Sequence, residues 1–191
     1  MGEDWIQAHK TGEPKPIFRV TARCIACGRP GLEIVEYLYE VPYFGKVILG
    51  RGRCRYCGYR YSDVRIAEAS SPKKIVVRVE GEKQLRYLLV KSAMATVYIR
   101  ERGYAMTPGP ASTGFITTVE GILYRFQEAI AAACRGREEK EPCRSHIEWI
   151  RSAIEGRSRF TLVICDPEGT SKAHGSEVEE TIIDEECRGQ T

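Results

Sequence analysis

The sequence predicts a mainly β protein with some α-helix, in which a four-cysteine zinc ribbon precedes a β-rich domain that carries a helical hairpin. Three observations support this fold class. Two Cys-x-x-Cys-Gly pairs stand 26 residues apart, short apolar runs typical of strands flank them, and strong helical periodicity is confined to about 118–156. With 191 residues, the chain can form one ordinary domain and a small module.

The cysteine pairs are Cys24 with Cys27 and Cys54 with Cys57. Two thiols separated by two residues can hold one ion from a single tight turn, and the following glycine permits that turn. Four thiolates around one centre form the closed tetrahedral site of a structural Zn²⁺. Because the turn is repeated, a redox pair explains it less well. We predict one structural zinc ion on these four cysteines; a disulfide framework and unpaired core thiols are the alternatives.

Composition favours a globular protein of the cytoplasm. Hydrophobic residues make up 42% of the chain and charged residues 29%. Since no run of 18 apolar residues occurs, we expect no membrane span, and the first twenty residues lack the apolar core of a secretory signal. The chain has no Asn and only four Gln, but 20 Arg and 22 Glu. This bias predicts a thermophilic source.

Charge is distributed unevenly along the chain. Residues 19–65 contain nine Arg or Lys against four Asp or Glu, whereas residues 166–191 contain eight acids against two bases. A basic zinc module can contact nucleic acid or an acidic protein surface. Ordinary solvated surface explains the same charges equally well.

The order of the patterns predicts four segments. We expect a flexible arm over 1–16, a zinc-ribbon finger over 17–69, a β-rich domain over 70–172 and an acidic tail over 173–191. The β-rich domain contains the helical hairpin, at about 118–156.

The hairpin is predicted from capping and periodicity. Thr117 and Glu120 have the spacing of a capping box at the start of the first helix, and a second helix is expected over Pro142–Glu155. Cys134 and Cys143 lie near the facing ends of the two helices, so a disulfide between them is an open alternative to free thiols. The two remaining cysteines are expected in a buried strand (Cys165) and in the acidic tail (Cys187).

The chain contains, in order, the phrases Val41-Pro-Tyr-Phe-Gly-Lys-Val-Ile-Leu49, Cys54-Arg-Tyr-Cys-Gly-Tyr59, Asp63-Val-Arg65, Val90-Lys-Ser92, Ile116-Thr-Thr-Val-Glu-Gly121 and Asp166-Pro-Glu-Gly169. Together these phrases resemble the ZPR family of zinc-finger proteins over roughly residues 19–172. The resemblance implies a four-cysteine finger followed by a double-stranded β-helix-like domain with a helical hairpin. It implies that Cys24, Cys27, Cys54 and Cys57 are the metal ligands. We call each Cys-x-x-Cys-Gly turn a knuckle, the first beginning at Cys24 and the second at Cys54. It further implies a non-enzymatic, chaperone-like protein whose partner is translation elongation factor 1-alpha.

Six residues beside or within the second cysteine pair and in the Val-Lys-Ser phrase are our candidates for contact with a partner: Arg53, Arg55, Tyr59, Arg65, Lys91 and Ser92. A nucleic-acid-binding zinc ribbon of the translation or transcription machinery is the alternative function, because tyrosines interleaved with arginines can stack on bases. Packing of those tyrosines around the knuckle explains them at least as well. A catalytic metal is disfavoured, since the chain has only three His and no His-x-His or His-x-Asp pair.

Overall fold

The structure is a computed structural model, and it describes residues 14–68 and 71–188. Within these residues it contains twelve strands and four helices, which confirms the mainly β fold class. Most of the arm predicted over 1–16 lies outside the described residues, although Lys15 and Pro16 already belong to the first strand. In the described part of the chain, every helix is too short or too polar to cross a bilayer.

The finger is one antiparallel sheet of four strands in chain order. Its strands are β1 (Lys15–Arg23), β2 (Pro30–Val41), β3 (Gly45–Cys54) and β4 (Arg60–Ile66). The two cysteine knuckles connect β1 to β2 and β3 to β4, so both lie at the same end of this finger sheet. A tight turn that contains Tyr43 connects β2 to β3 at the opposite end.

Two further sheets and four helices make up the β-rich domain. Its strands are β5 (Lys73–Val79), β6 (Leu88–Lys91), β7 (Thr96–Ile99), β8 (Tyr104–Met106), β9 (Phe115–Thr118), β10 (Phe160–Asp166), β11 (Lys172–His174) and β12 (Val178–Ile182). One sheet has the order β12-β5-β10-β7-β8 and the other β11-β6-β9. The helices are α1 (Glu82–Leu85), α2 (Val119–Ala133), α3 (Cys143–Ile154) and α4 (Glu185–Arg188). The double-sheet arrangement is the one that the family resemblance implies.

The main hydrophobic core lies between these two sheets and helix α2. Strand β10 is buried on both faces, with Leu162 and Ile164 in the main core and Val163 and Cys165 in a second cluster, so its apolar residues run almost without alternation. Leu162 and Ile164 of β10 pack with Ile122 and Leu123 of α2, and all four side chains are fully buried. The helical hairpin is therefore fixed to the β-rich domain by the apolar face that its periodicity predicts.

The hairpin differs from its prediction at the first cap. Thr118, and not Thr117, caps α2, because the Thr118 hydroxyl accepts a 3.0 Å hydrogen bond from the N–H of Gly121. The predicted capping box with Glu120 is therefore wrong by one residue. At the far end, Cys134 and Cys143 form a disulfide, the alternative that the sequence left open.

The acidic C-terminal segment is packed against the β-rich domain. Strand β12 pairs with β5 along its whole length, and Cys187 of α4 forms a disulfide with Cys165 of β10. The disulfide was not predicted, because the sequence places Cys165 in a buried strand and Cys187 in the acidic tail. The segment Gly103–Gly114, which its Pro and Gly content predicts to be a loop, contains the short strand β8.

A junction joins the finger sheet to the β-rich domain. The N–H groups of Val64 and Ile66 in β4 donate to the carbonyls of Gly114 and Thr170, at 3.1 and 3.0 Å. A small hydrophobic cluster lies behind these bonds and combines Phe44, Val47 and Ile66 of the finger with Val90 of the β-rich domain. This junction fixes one end of the finger and leaves the knuckle end projecting.

Candidate metal centre and its surroundings

The four knuckle cysteines converge on one point. The Sγ atoms of Cys24 and Cys57 are 3.6 Å apart, those of Cys27 and Cys54 are 3.7 Å apart, and all four sulfurs lie within 4.8 Å of one another. Sulfurs bound to one tetrahedral Zn²⁺ at ~2.3 Å are separated by about 3.8 Å. The spacing of the four thiols therefore fits a closed metal site.

The two knuckles share one backbone geometry. The carbonyls of Cys24 and Cys54 accept bonds from Gly28 and Gly58, at 2.7 and 2.9 Å. Both glycines have φ in the left-handed region, at 71° and 75°, which other residues adopt only with strain. The N–H of Arg55 also donates to the carbonyl of Gly31 at 2.9 Å, which ties the two knuckles together. The glycine after each cysteine pair is thus required by the turn.

Protonation of the thiols indicates that the site needs a cation. Burial acts to raise the pKa of Cys54, but the N–H groups of Cys57 and Tyr56 outweigh it and lower this pKa to about 7. The N–H of Tyr59 acts to lower the pKa of Cys57, yet burial and hydrogen bonds to the other three thiols raise it to about 12. Four adjacent sulfurs cannot all ionise without a positive charge between them, and Zn²⁺ supplies that charge.

Aromatic residues support the knuckles from the side. Leu32 is buried beneath Cys24 and Cys54, and Tyr59 and Tyr61 pack against the same cluster. Tyr56 lies against the second knuckle with the Arg29 and Arg55 guanidinium groups 5.5 and 5.1 Å from its ring centroid. A Cβ on the nearby Gly31 would come within 2.4 Å of the Tyr56 ring. Packing around the knuckle therefore explains Tyr59 and Tyr61, whereas Tyr56 remains 48% exposed.

The candidate partner contacts on the finger differ in exposure. Arg53 and Arg55 are exposed, and Tyr59 is half-buried. Arg65 is half-buried and donates to both carboxylate oxygens of Glu36, at 2.9 Å each, and to Asp63 at 3.3 Å. Burial acts to lower the pKa of Arg65, but these two carboxylates outweigh it and raise it. Arg65 is thus held within the finger sheet by its acids.

Lys91 and Ser92, which the sequence predicts as partner contacts, lie in the interior of the β-rich domain and not on its surface. Lys91 is 3% exposed and Ser92 is fully buried, and the Lys91 ammonium lies 5.8 Å from the Phe115 ring centroid and donates to the Ala93 carbonyl at 3.4 Å. Burial lowers the pKa of Lys91, and the more distant charge of Asp166 only partly offsets this effect. The Ser92 hydroxyl donates to Asp166 at 3.0 Å. Both side chains therefore make their contacts inside the β-rich domain.

Two buried aspartates with structural roles were missed. Asp166 is fully buried and also accepts from the N–H groups of Glu168 and Ser171, so it orders the segment that follows β10. Asp63 is 6% exposed and accepts a 2.6 Å bond from Gly114. The only signal for them in the sequence is that both lie in phrases that resemble the ZPR family, Asp63-Val-Arg65 and Asp166-Pro-Glu-Gly169.

The remaining candidates for metal chemistry do not cluster. Among the described residues, the four cysteines are the only group of three or more His, Cys, Asp or Glu that could share an ion. His146 is hydrogen-bonded to the hydroxyl of Tyr104 at 2.7 Å, and His174 stacks on Tyr43 at 4.2 Å between ring centroids. Within residues 14–68 and 71–188, neither imidazole belongs to a group of three or more such side chains.

Comparison with known proteins agrees with the geometry. Residues 17–72 match the ZPR1 zinc-finger domain and residues 83–187 match the ZPR1 jelly-roll domain. An uncharacterized ZPR1-like protein of Pyrococcus horikoshii is 35% identical over 85% of this chain and 76% of its own length. A second such protein, from Methanocaldococcus jannaschii, is 35% identical over 85% of this chain and 84% of its own length.

A longer relative occurs in yeast. The zinc finger chaperone zpr1 of Schizosaccharomyces pombe is 31% identical over 83% of this chain, which covers 35% of the yeast protein. The match to both domains, in the order in which the structure places them, shows that this chain belongs to the ZPR1 family.

Proposed function

We propose that this protein is a non-enzymatic, zinc-binding adaptor with a chaperone-like role in the cytoplasm, and that its partner is translation elongation factor 1-alpha. The observation that carries this proposal is the closed four-thiol centre. A metal with four protein sulfurs has no open position for a substrate, so its role is to give the finger a fixed shape. The yeast relative that is named a zinc finger chaperone supports the chaperone-like role.

The surface of the finger is consistent with protein recognition. Three of its apolar side chains are about half exposed: Ile17 at 50%, Phe18 at 54% and Ile25 at 58%. Apolar residues that become desolvated supply most of the binding energy at protein interfaces, and charges steer the encounter. Arg19 and Arg23, on the same strand as Ile17 and Phe18, are also exposed and provide that charge.

A binding experiment with purified elongation factor tests the proposal. The zinc-loaded full chain is immobilised and presented with the factor in its GDP-bound, GTP-bound and nucleotide-free states. We expect retention in at least one state, weakened by Phe18→Ala and unaffected by Ile182→Ala, which removes a 78%-exposed side chain from β12 of the β-rich domain. No association in any nucleotide state would refute the proposed partner.

A nucleic-acid-binding zinc ribbon is the second candidate, and the exposed arginines of the finger favour it. It requires affinity for RNA that falls steeply between low and physiological salt, because phosphate contacts release counterions. Filter binding at both salt concentrations separates the two functions. Tyr59 and Tyr61 are poorly placed to stack on bases, since they pack on the knuckle, whereas Tyr56 is 48% exposed beside Arg29 and Arg55.

A further inference from the structure

One face of the finger sheet carries three exposed arginines on adjacent strands. Arg51 and Arg53 are two residues apart on β3, so their side chains point to the same face. Arg60 of β4 lies directly opposite Arg53 in the strand register, and Ser62 lies opposite Arg51. All four residues are exposed. The three guanidinium groups therefore share one surface near the knuckles.

This arrangement is unfavourable for the sheet by itself. The N–H of Cys54 donates to the carbonyl of Tyr59 at 2.8 Å, so the next pair, Arg53 and Arg60, is a non-hydrogen-bonded pair whose side chains lie closest together. Like charges directly opposite each other destabilise a sheet. Among the described residues, no carboxylate is within ion-pair distance of the three arginines.

The arginines border a groove with an apolar end. A cavity of about 450 Å³ runs along β3 and β4, with Arg51, Arg53, Arg60 and Ser62 at the knuckle end and Leu49 and Val64 at the other. We call this cavity the arginine groove. Its apolar end is continuous with the cluster that joins the finger to the β-rich domain. The groove thus offers charge at one end and apolar contact at the other.

The backbone beside the groove is open to pairing. Val64 and Ile66 donate their N–H groups outwards, away from β3, to Gly114 and Thr170. By the alternation of an antiparallel ladder, the N–H groups of Ser62 and Arg60 also point outwards. In the part of the chain that the structure describes, β3 is the only strand beside β4, neither of these N–H groups has a backbone acceptor, and both residues are exposed.

We propose that the arginine groove binds an extended acidic segment of a protein partner, which pairs with the open edge of β4 and places carboxylates on Arg51, Arg53 and Arg60. Alternate side chains of an extended peptide are about 6.6 Å apart, the same spacing that separates Arg51 from Arg53 along β3. This inference rests on the proposed adaptor function and specifies the chemistry of the segment that the adaptor recognises.

The surroundings favour a peptide over a polynucleotide. Glu33 is exposed and lies directly opposite Arg53 in β2, so its carboxylate stands on the same face as the arginines. A regular polyphosphate would be repelled at that point, whereas a peptide can place a neutral or basic residue there. The apolar end of the groove at Leu49 and Val64 also suits an aliphatic side chain.

Fluorescence anisotropy with a labelled peptide tests the groove on the zinc-loaded full chain. The probe is a peptide of about twelve residues in which Glu alternates with Thr, compared with a Lys-Thr peptide and a single-stranded RNA of similar length. Two variants are compared: Arg51→Ala/Arg53→Ala/Arg60→Ala, and the matched control Arg86→Ala/Arg135→Ala/Arg159→Ala, which removes the same charge from exposed sites outside the finger. A third variant, Ser62→Pro, removes one outward N–H group and spares the bonds to β3.

We expect the acidic peptide to bind the wild type and the control variant with equal affinity. Its affinity for the groove variant should be roughly tenfold lower, because three exposed ion pairs are lost. Ser62→Pro is expected to weaken binding as well. Zinc content and the thermal midpoint confirm folding, and the groove variant should be at least as stable as the wild type because a repulsive pair is removed.

Three results would overturn the proposal. These are no binding of the acidic peptide to the wild type, equal loss in the groove and control variants, and tighter binding of RNA than of peptide. Failure of the elongation factor to bind, with the peptide still bound, would refute the proposed partner and leave the groove intact. Retention of the factor by the groove variant would refute the groove as its contact and leave the adaptor function intact.

Discussion

The carboxylate of Asp63 in the finger accepts a 2.6 Å hydrogen bond from the N–H of Gly114 in the β-rich domain, and both groups are buried. The approach is close because position 114 is glycine: a Cβ there would come within 2.0 Å of the Val64 carbonyl. The other carboxylate oxygen of Asp63 accepts from Arg65. One buried acid therefore connects the two domains and orders the strand that leads from the second knuckle.

Replacement of Asp63 by Ala should lower the free energy of unfolding by about 1–3 kcal/mol, since a buried N–H loses its acceptor. Asp63→Asn retains an acceptor oxygen for Gly114 and loses the charge paired with Arg65, so its cost should be smaller. Denaturant unfolding measures both effects, with the exposed Glu40→Ala as control. Equal stability of wild type and Asp63→Ala would contradict the role of this bond.

Removal of the metal should unfold the knuckle end of the finger and leave the β-rich domain folded. The core of that domain, between its two sheets and α2, contains no knuckle residue, whereas Leu32 is buried mainly by the cysteine cluster. Hydrogen exchange after stringent chelation should show lost protection in β2 and β3 near the knuckles and retained protection in β10.

Metal analysis complements that measurement. We expect one zinc per chain in the wild type and none in Cys54→Ser, with protection restored in the chelated wild type when Zn²⁺ is returned. Unchanged protection of the knuckles in the metal-free protein would show that the sulfurs are held together by packing alone.

Local patterns could be predicted from the sequence. The knuckles depend on residues within five positions of each other, and the helices α2 and α3 follow the 3.6-residue periodicity of their apolar faces. The cap of α2 was placed one residue early, because Thr117 and Thr118 both fit the chemistry of an N-cap. Only the paired strand β9, which extends to Thr118, decides between them.

Features that depend on long-range pairing could not be predicted. Lys91 is charged, which by itself suggests the surface, but the folded domain buries its side chain beside Phe115 of the neighbouring strand β9. The pairing of Cys165 with Cys187 and the alignment of the three groove arginines depend equally on strand register. Register is set by the folded sheets and is not visible in the spacing of residues along the chain.

The two disulfides predict the thiol chemistry of the chain. Of its eight cysteines, four should react with a thiol reagent after denaturation and metal removal without reductant, and all eight after reduction. Mass spectrometry of the alkylated peptides should place the protected thiols at Cys134, Cys143, Cys165 and Cys187. Eight reactive thiols without reductant would exclude both bridges.

The Cys165–Cys187 bridge should also contribute to stability, since it closes a loop over a separation of 22 residues. Its removal in Cys165→Ala/Cys187→Ala should cost about 3 kcal/mol in the loop-entropy description. Reductant should lower the thermal midpoint of the wild type by more than that of the double variant, which retains only the Cys134–Cys143 bridge. An equal response of the two proteins would show that this bridge carries no stability.

Acid should loosen the C-terminal segment through Glu186 of α4. Its carboxylate accepts bonds from Arg100 at 2.7 and 2.9 Å and from Lys74 at 3.2 Å. These contacts, chiefly that of Arg100, outweigh partial burial and lower the pKa of Glu186 from 4.5 to about 2. Because the folded-state pKa lies below the unfolded one, the stabilisation is present above about pH 4.5 and is lost as the pH falls towards 2.

The difference in thermal midpoint between the wild type and Glu186→Gln isolates this effect, because acid release of the metal affects both proteins alike. We expect the difference to be largest at neutral pH, to correspond to about 1 kcal/mol or less for a solvent-screened pair, and to vanish as the pH falls from about 4.5 to about 2. Glu128→Gln, an exposed change on α2, serves as control and should show no such trend. A difference that stays constant across this range would mean that Glu186 contributes through its shape and not through its charge.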